Sequence, residues 1–150
     1  MPQSLASILV HIIFSTKMRQ PLILSEIVEE LYSYMAGIAH TYEPQVHEIG
    51  GVEDHVHLLV SLPRTIPLSK LIEEIKKGSS KWLKTKGSLY TDFGWQNGYG
   101  AFSIGQSAYK ELRTYIQTQK DHHKNISFQD EYRAFLKKYL IKYDEKYLWD

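Results

Sequence analysis

Nine consecutive residues, Asp54-His55-Val56-His57-Leu58-Leu59-Val60-Ser61-Leu62, constrain the fold more than any other stretch of this chain. The run is rich in β-branched and apolar residues and reads as a strand. Strand side chains leave alternately on two faces, so Val56, Leu58, Val60 and Leu62 share one face and His55 and His57 the other. The first set is a core face. The second sets two imidazoles side by side, half of a metal site that leaves room for a third ligand and a substrate. His-x-His is a weak motif, and alone it fits better with a surface histidine beside a hydrogen-bonded filler. The rest of the chain has to decide.

Residues 4–16 form a nearly continuous apolar run that reads as a buried strand, ending in a polar turn, Lys17 to Gln20. His11 inside it is expected to be a satisfied core or edge residue, with no metal assigned. Ser25 can cap a helix whose first turn carries Glu26, Glu29 and Glu30. Ile27, Leu31, Tyr34, Met35 and Ile38 make its apolar stripe, and Pro44 cannot continue it beyond about Tyr42. A strand at about 45–49 then turns through Gly50-Gly51 into the His-x-His strand, an antiparallel hairpin. A second helix starts near Thr65, with Pro67 in its first turn and Leu68, Leu71, Ile72, Ile75, Ser79 and Trp82 on one face.

Glycines punctuate 87–105, which reads as a loop and then a fourth strand within Trp95–Ile104, with Gly105 as a hinge into a helix from about Ser107 to Lys124. On that helix Tyr115 and Gln119 share a face one turn apart. A short helix around Phe128–Leu140 and an aromatic tail with Tyr139, Tyr143, Tyr147 and Trp149 complete the chain. The order strand, helix, strand, strand, helix, strand is that of an α+β, ferredoxin-like (RRM-like) βαββαβ antiparallel sheet with its helices on one face. His55 and His57 point to the free face, and the added tyrosine-bearing helix could cover it.

At 150 residues one domain spanning 1–150 is expected. The absence of cysteine excludes disulfides, thiolate zinc sites and cysteine nucleophiles. No apolar run is long enough for a bilayer and no signal peptide is evident, so a cytoplasmic protein without a membrane partner is expected. A net charge of +1 means that a nucleic-acid surface has to come from local clustering. Between Arg64 and Lys86 seven basic residues face two acidic ones. Lys70, Lys76, Lys77, Lys81 and Lys84 of this segment are candidate DNA contacts. A solvated helix face is the plainer explanation, which Gly78-Ser79-Ser80 shifts a little by allowing a sheet or a phosphate backbone to come close.

His-x-His on a central strand, a ferredoxin-like order and Tyr-x-x-x-Gln on a following helix are jointly far more specific than any one of them. The sequence resembles the single-tyrosine HUH transposases of small bacterial insertion sequences, the IS200-like transposase family. The resemblance rests on Glu53 to Leu59, on Ser69-Lys70-Leu71-Ile72 through Lys77-Gly78-Ser79-Ser80, on Trp95 to Gly105, and on Tyr115 to Gln119 followed by His122-His123. It implies His55 and His57 as metal ligands, Gln119 as the third, Tyr115 as nucleophile, and Mg²⁺ or Mn²⁺ as the ion. It implies a metal-dependent endonuclease and strand transferase that forms a 5′-phosphotyrosine on single-stranded DNA, with hairpin-bearing element ends as partners. It also implies a homodimer, in which the tyrosine helix can complete the partner's site. A phenol is a poor nucleophile near neutral pH and needs such alignment and activation. Three alternatives stay open: a domesticated DNA-binding or nicking relative, a non-catalytic ferredoxin-like nucleic-acid-binding module, and a phosphoesterase that uses water in place of Tyr115.

Overall fold

The computed structural model describes residues 2–42 and 45–149. Pro44, expected to stop the first helix, lies outside the described residues. The strands are β1 (Leu9–Ser15), β2 (Val46–Val52), β3 (His55–Ser61) and β4 (Gly100–Ile104). The α-helices are α1 (Val28–His40), α2 (Leu68–Leu83), α3 (Tyr109–Gln117), α4 (Gln119–His122) and α5 (Phe128–Lys138). All strand neighbours are antiparallel and the order is β2-β3-β1-β4, which is the ferredoxin-like arrangement.

Every residue of β1 is buried. That follows from its position: it is central in the sheet and covered on both faces, so alternation gives way to a continuous apolar run. Val10, Ile12 and Phe14 of β1 and Val56, Leu58 and Val60 of β3 face α1 and α2 in the main core. Leu31, Met35 and Ala39 of α1 and Leu71, Ile72 and Ile75 of α2 complete it. Gly78 lets these two helices close up, because a Cβ there would meet Ile38 Cδ1 at 2.6 Å. Ser79 is buried and accepts the indole N–H of Trp95 at 3.0 Å. The small residues of α2 therefore serve packing within the chain.

The alternate residues of the same strands, Leu9, His11 and Ile13 with His55, His57 and Leu59, face the other way, onto α3 and α5. Both faces are thus covered, α1 and α2 on one and the C-terminal helices on the other. Four local expectations change. α1 starts at Val28 behind an uncapped Ile27, and Ser25 lies in the preceding turn. Gly50 and Gly51 are strand residues paired with His57 and Val56, and the turn is at Glu53-Asp54. A Cβ on Gly50 would collide with the carbonyl of Ile116, so this glycine sets how closely α3 approaches the sheet. The long helix expected from Ser107 breaks at Thr118 (φ −104°, ψ 24°) into α3 and α4. Gly105, expected as a hinge, has an ordinary extended backbone (φ −74°, ψ 153°).

The tail packs back on this chain. Tyr139 stacks on Phe102 with centroids 4.7 Å apart. Trp149 lies between the guanidinium groups of Arg19 and Arg133, at 5.5 and 5.0 Å. Tyr143 and Tyr147 stay exposed.

Candidate active site

β3 delivers His55 and His57 to the α3–α5 face, both fully buried. The neighbouring Asp54 fixes His55: its Nδ1–H donates to Asp54 Oδ1 at 2.7 Å, which turns Nε2 inward. There Nε2 lies 3.3 Å from Gln119 Oε1 and 3.4 Å from Glu131 Oε1. His57 Nε2 lies 3.0 Å from the same Glu131 oxygen. His123 Nε2 lies 3.2 Å from it as well, buried and, among the described residues, outside hydrogen-bond geometry. One ligand atom from each of His55, His57, His123 and Glu131 falls within 4.8 Å of all the others. The second oxygen of Glu131 accepts a short hydrogen bond from the hydroxyl of Tyr115.

Local structure explains how these groups arrive. Ser127 caps α5 by accepting the N–H of Asp130 at 3.1 Å. Phe128, Glu131, Tyr132 and Leu136 then form the buried stripe of α5, so Glu131 enters as the one acid on an otherwise apolar face. The break at Thr118 is bridged by Gln119, whose side-chain Nε2 donates to the carbonyl of Tyr115 at 3.2 Å. That bond ties the amide to the tyrosine's own backbone while its oxygen faces His55.

The electrostatics follow from burial and crowding. Burial favours the neutral form of Glu131, but the imidazoles of His123, His55 and His57 around it outweigh burial and hold its carboxyl far below the usual carboxylate range. Burial pulls His55 down, yet the hydrogen bonds to Asp54 and Glu131 outweigh it and push the imidazole up to about 9. For His57 burial wins and its basicity falls. Tyr115 is pushed well above an ordinary phenol, first by burial and then by the Glu131 carboxylate, which holds the phenolic proton. The cluster is a concentrated anionic oxygen ringed by imidazoles, an arrangement that a cation would suit.

The structure therefore brings Tyr115, His55, His57 and Gln119 together, and adds Glu131 and His123. The lysines lie elsewhere. α2 packs on the opposite face of the sheet from the histidines. Lys70 is engaged by Glu74 at 3.0 Å and by Glu73 at 3.8 Å. Lys76 turns inward, donates to the carbonyls of Gly98 (2.7 Å) and Gln96 (2.9 Å), and is pulled down to about 8 by burial. Lys77, Lys81 and Lys84 are exposed. Glu131 could have been found in the sequence as an acid inside the apolar stripe of a helix. His123 belongs to the His122-His123 pair that follows Tyr115 and Gln119, but nothing in the sequence marks it as a metal ligand.

A family model, described as transposase IS200-like, matches residues 4–119. The chain belongs to the IS200-like transposase family. Among its relatives is the ISDra2 transposase TnpA of Deinococcus radiodurans, 22% identical over an alignment of 116 residues that covers 74% of this chain and 83% of that protein. Two solved structures share the fold. One is a protein of Deinococcus radiodurans R1 assigned as a transposase, with a TM-score of 0.62 at 18% identity, covering 79% of this chain and 95% of that one. The other is a REP-associated tyrosine transposase bound to a REP hairpin, also with a TM-score of 0.62, at 15% identity, covering 84% of this chain and 74% of that one. The family match ends at Gln119, so His123 and Glu131 come from beyond it. No helix among the described residues is long and apolar enough to cross a membrane.

Proposed function

We propose that this transposase cleaves and rejoins single-stranded DNA by metal-assisted transesterification, with Tyr115 as the nucleophile. One observation carries this reading: the Tyr115 hydroxyl and both histidines of the His-x-His strand converge on the two oxygens of a single buried carboxylate, Glu131.

The residues fit a divalent ion. His55, His57 and Glu131 would hold it, with His123 and the Gln119 oxygen within reach. His123 Nε2 is buried and, among the described residues, outside hydrogen-bond geometry, a lone pair suited to a ligand. The family points to Mg²⁺ or Mn²⁺. A shell of imidazoles with one carboxylate suits Mn²⁺ better than Mg²⁺ and would also accept zinc. Such an ion, when bound, polarises the phosphate and stabilises developing charge.

The chain's own groups do the rest. Glu131 Oε2 accepts the hydrogen bond of the Tyr115 hydroxyl and orients it, and the phenolic proton ends on the leaving 3′ oxygen. The phenolate oxygen attacks phosphorus, the P–O3′ bond breaks, and the 3′ oxygen leaves as a free hydroxyl after protonation. A 5′-phosphotyrosine keeps the phosphodiester's energy, so another 3′-hydroxyl can reverse the step and join new ends. Asp54 holds His55 in place throughout. The nucleophile serves the centre of its own chain, and a homodimer would bring two such centres to the two ends of an element.

The related structure with a REP hairpin supports hairpin-bearing single-stranded DNA as the substrate. Lys77, Lys81 and Lys84 of α2 are exposed and make no ion pair among the described residues, with Lys70 and Lys76 beside them. Cavities of about 620 and 350 Å³ share Ser80, Trp95, Gln96 and Asn97; Lys17, Lys76, Lys77 and Lys84 line them with Asp92 and Glu73, a seam with more cations than carboxylates that could take a DNA strand.

The test uses labelled single-stranded oligonucleotides copied from the DNA flanking the gene, incubated with the protein and Mn²⁺ or Mg²⁺. A denaturation-resistant protein–DNA adduct is expected, absent with EDTA and absent in Tyr115→Phe. Cleavage that survives in Tyr115→Phe would instead identify a hydrolytic phosphoesterase. Tight binding without cleavage would identify a binding protein.

A further inference from the structure

His11 is a fully buried imidazole that the proposed chemistry does not use. It sits on β1 opposite Leu59, diagonal to His57 across the β1–β3 ladder and on the same face of the sheet. Its Nε2 is 2.9 Å from His57 Nδ1, and the two rings stack with centroids 5.1 Å apart and planes 20° apart. Phe135 meets the ring edge-on at 5.1 Å, and Phe102 lies tilted against it at 6.1 Å. Its own Nδ1 has no hydrogen-bond partner among the described residues. A buried polar atom left unpaired is costly, and an apolar side chain of similar shape would fill this site better if filling were the only task. What His11 provides that a hydrocarbon would not is a ring nitrogen against His57 Nδ1.

We infer that His11 is the positioning residue for His57: its Nε2 fixes the ring and selects which nitrogen of His57 carries the proton. A neutral imidazole has one N–H and one lone pair. When His11 accepts from His57 Nδ1–H, His57 Nε2 is bare and faces the Glu131 oxygen as a metal ligand must. When His11 donates to His57 Nδ1, His57 carries its proton on Nε2 and gives it to Glu131, the arrangement that suits the centre without a metal. Each ring holds one proton in both arrangements, so the change needs no net protonation. An imidazole can play both parts, whereas a purely accepting or purely donating side chain would lock His57 in one. Partners of this kind behind a ligating histidine fix its tautomer and orientation.

This inference rests on the metal-centre reading above, and the test separates the two. Mn²⁺ binding is measured by calorimetry on the full chain as wild type, His11→Leu and His11→Gln. Glutamine places an amide near the position of the imidazole Nε2 and can donate or accept. The leucine variant is expected to bind Mn²⁺ at least about tenfold more weakly, and the glutamine variant to recover most of the loss. Equal binding by wild type and His11→Leu overturns the role of His11 and leaves the metal centre standing. Equal loss in both variants also overturns it, reducing His11 to packing. A wild type that binds no Mn²⁺ sinks the metal centre and this inference with it. Should His11→Leu fail to fold, the wild type still decides through the ¹⁵N spectrum of His57 with Mg²⁺ added. The proton is expected on Nδ1, and a proton that stays on Nε2 with the ion bound overturns the proposal.

Discussion

The two faces of this sheet are made by alternate residues of the same strands, and they are held by different physics. Toward α1 and α2 the strands present Val10, Ile12, Phe14, Val56, Leu58 and Val60, a surface that is apolar throughout and cares about volume. Toward α3–α5 the same strands present His11, His55 and His57, and the helices answer with Gln119, Glu131 and Tyr115. Among these polar groups, which sit between the apolar clusters around Ile13 and Leu59, each contact depends on who donates and who accepts. A single residue of register separates the two, so the strand that builds the core also fixes the positions of His55 and His57 on the site face. The rigid face needs no particular residue at most positions.

Substitutions on the two faces should therefore fail in different currencies. The largest stability effect is expected from the core. Leu31→Ala removes a fully buried side chain and should destabilise by about 2–5 kcal/mol in denaturant titrations. In the folded fraction Mn²⁺ binding should be nearly unchanged. Glu131→Gln should do the reverse. It leaves the volume intact and removes a carboxylate that three imidazoles surround, for a smaller stability loss of about 1–3 kcal/mol. Metal binding and the covalent adduct should both be lost. An active Glu131→Gln, or a Leu31→Ala that abolishes metal binding while folded, would break the division between the faces.

Much of this was legible in the sequence, because periodicity is a local signal. The alternation in β3 told both which residues enter the core and which face holds the histidines, while helical spacing put Tyr115 and Gln119 one turn apart and the family resemblance alone gave them their roles. The failures share a cause as well. Gly50-Gly51 looks like a turn by its composition, yet Gly50 is in mid-strand because Ile116, far away in sequence, lies on top of it. The segment 107–124 has one helical pattern, and nothing local marks the break at Thr118 that lets the Gln119 side chain take the Tyr115 carbonyl. Glu131 and His11 meet His57 across 74 and 46 residues, contacts that no window of a sequence contains. Lys70 and Lys76, read as candidate DNA contacts, also have partners within the chain that no local pattern announces. Local patterns report the elements. Who satisfies whom between elements is a property of the packing.

The smallest expected effect sharpens the comparison most, because it depends on pH. His55 is pushed up to about 9 by Asp54 and Glu131 against the pull of burial, from 6.5 in the unfolded chain. A folded pKa above the unfolded one means that this stabilisation is fully present below about 6.5 and is lost as pH rises through about 9. Asp54→Asn removes the carboxylate that accepts from His55 Nδ1, 2.7 Å away. In the metal-free protein, held so with EDTA, it should therefore destabilise by about 1 kcal/mol below pH 6.5 and by progressively less toward alkaline pH. Leu31→Ala, which changes no titrating group, should cost the same across that window. The two variants measured side by side by urea denaturation at several pH values would separate the faces. An Asp54→Asn penalty that stays flat with pH would mean that His55 is not charged in the metal-free fold, and that the site face is held by neutral hydrogen bonds.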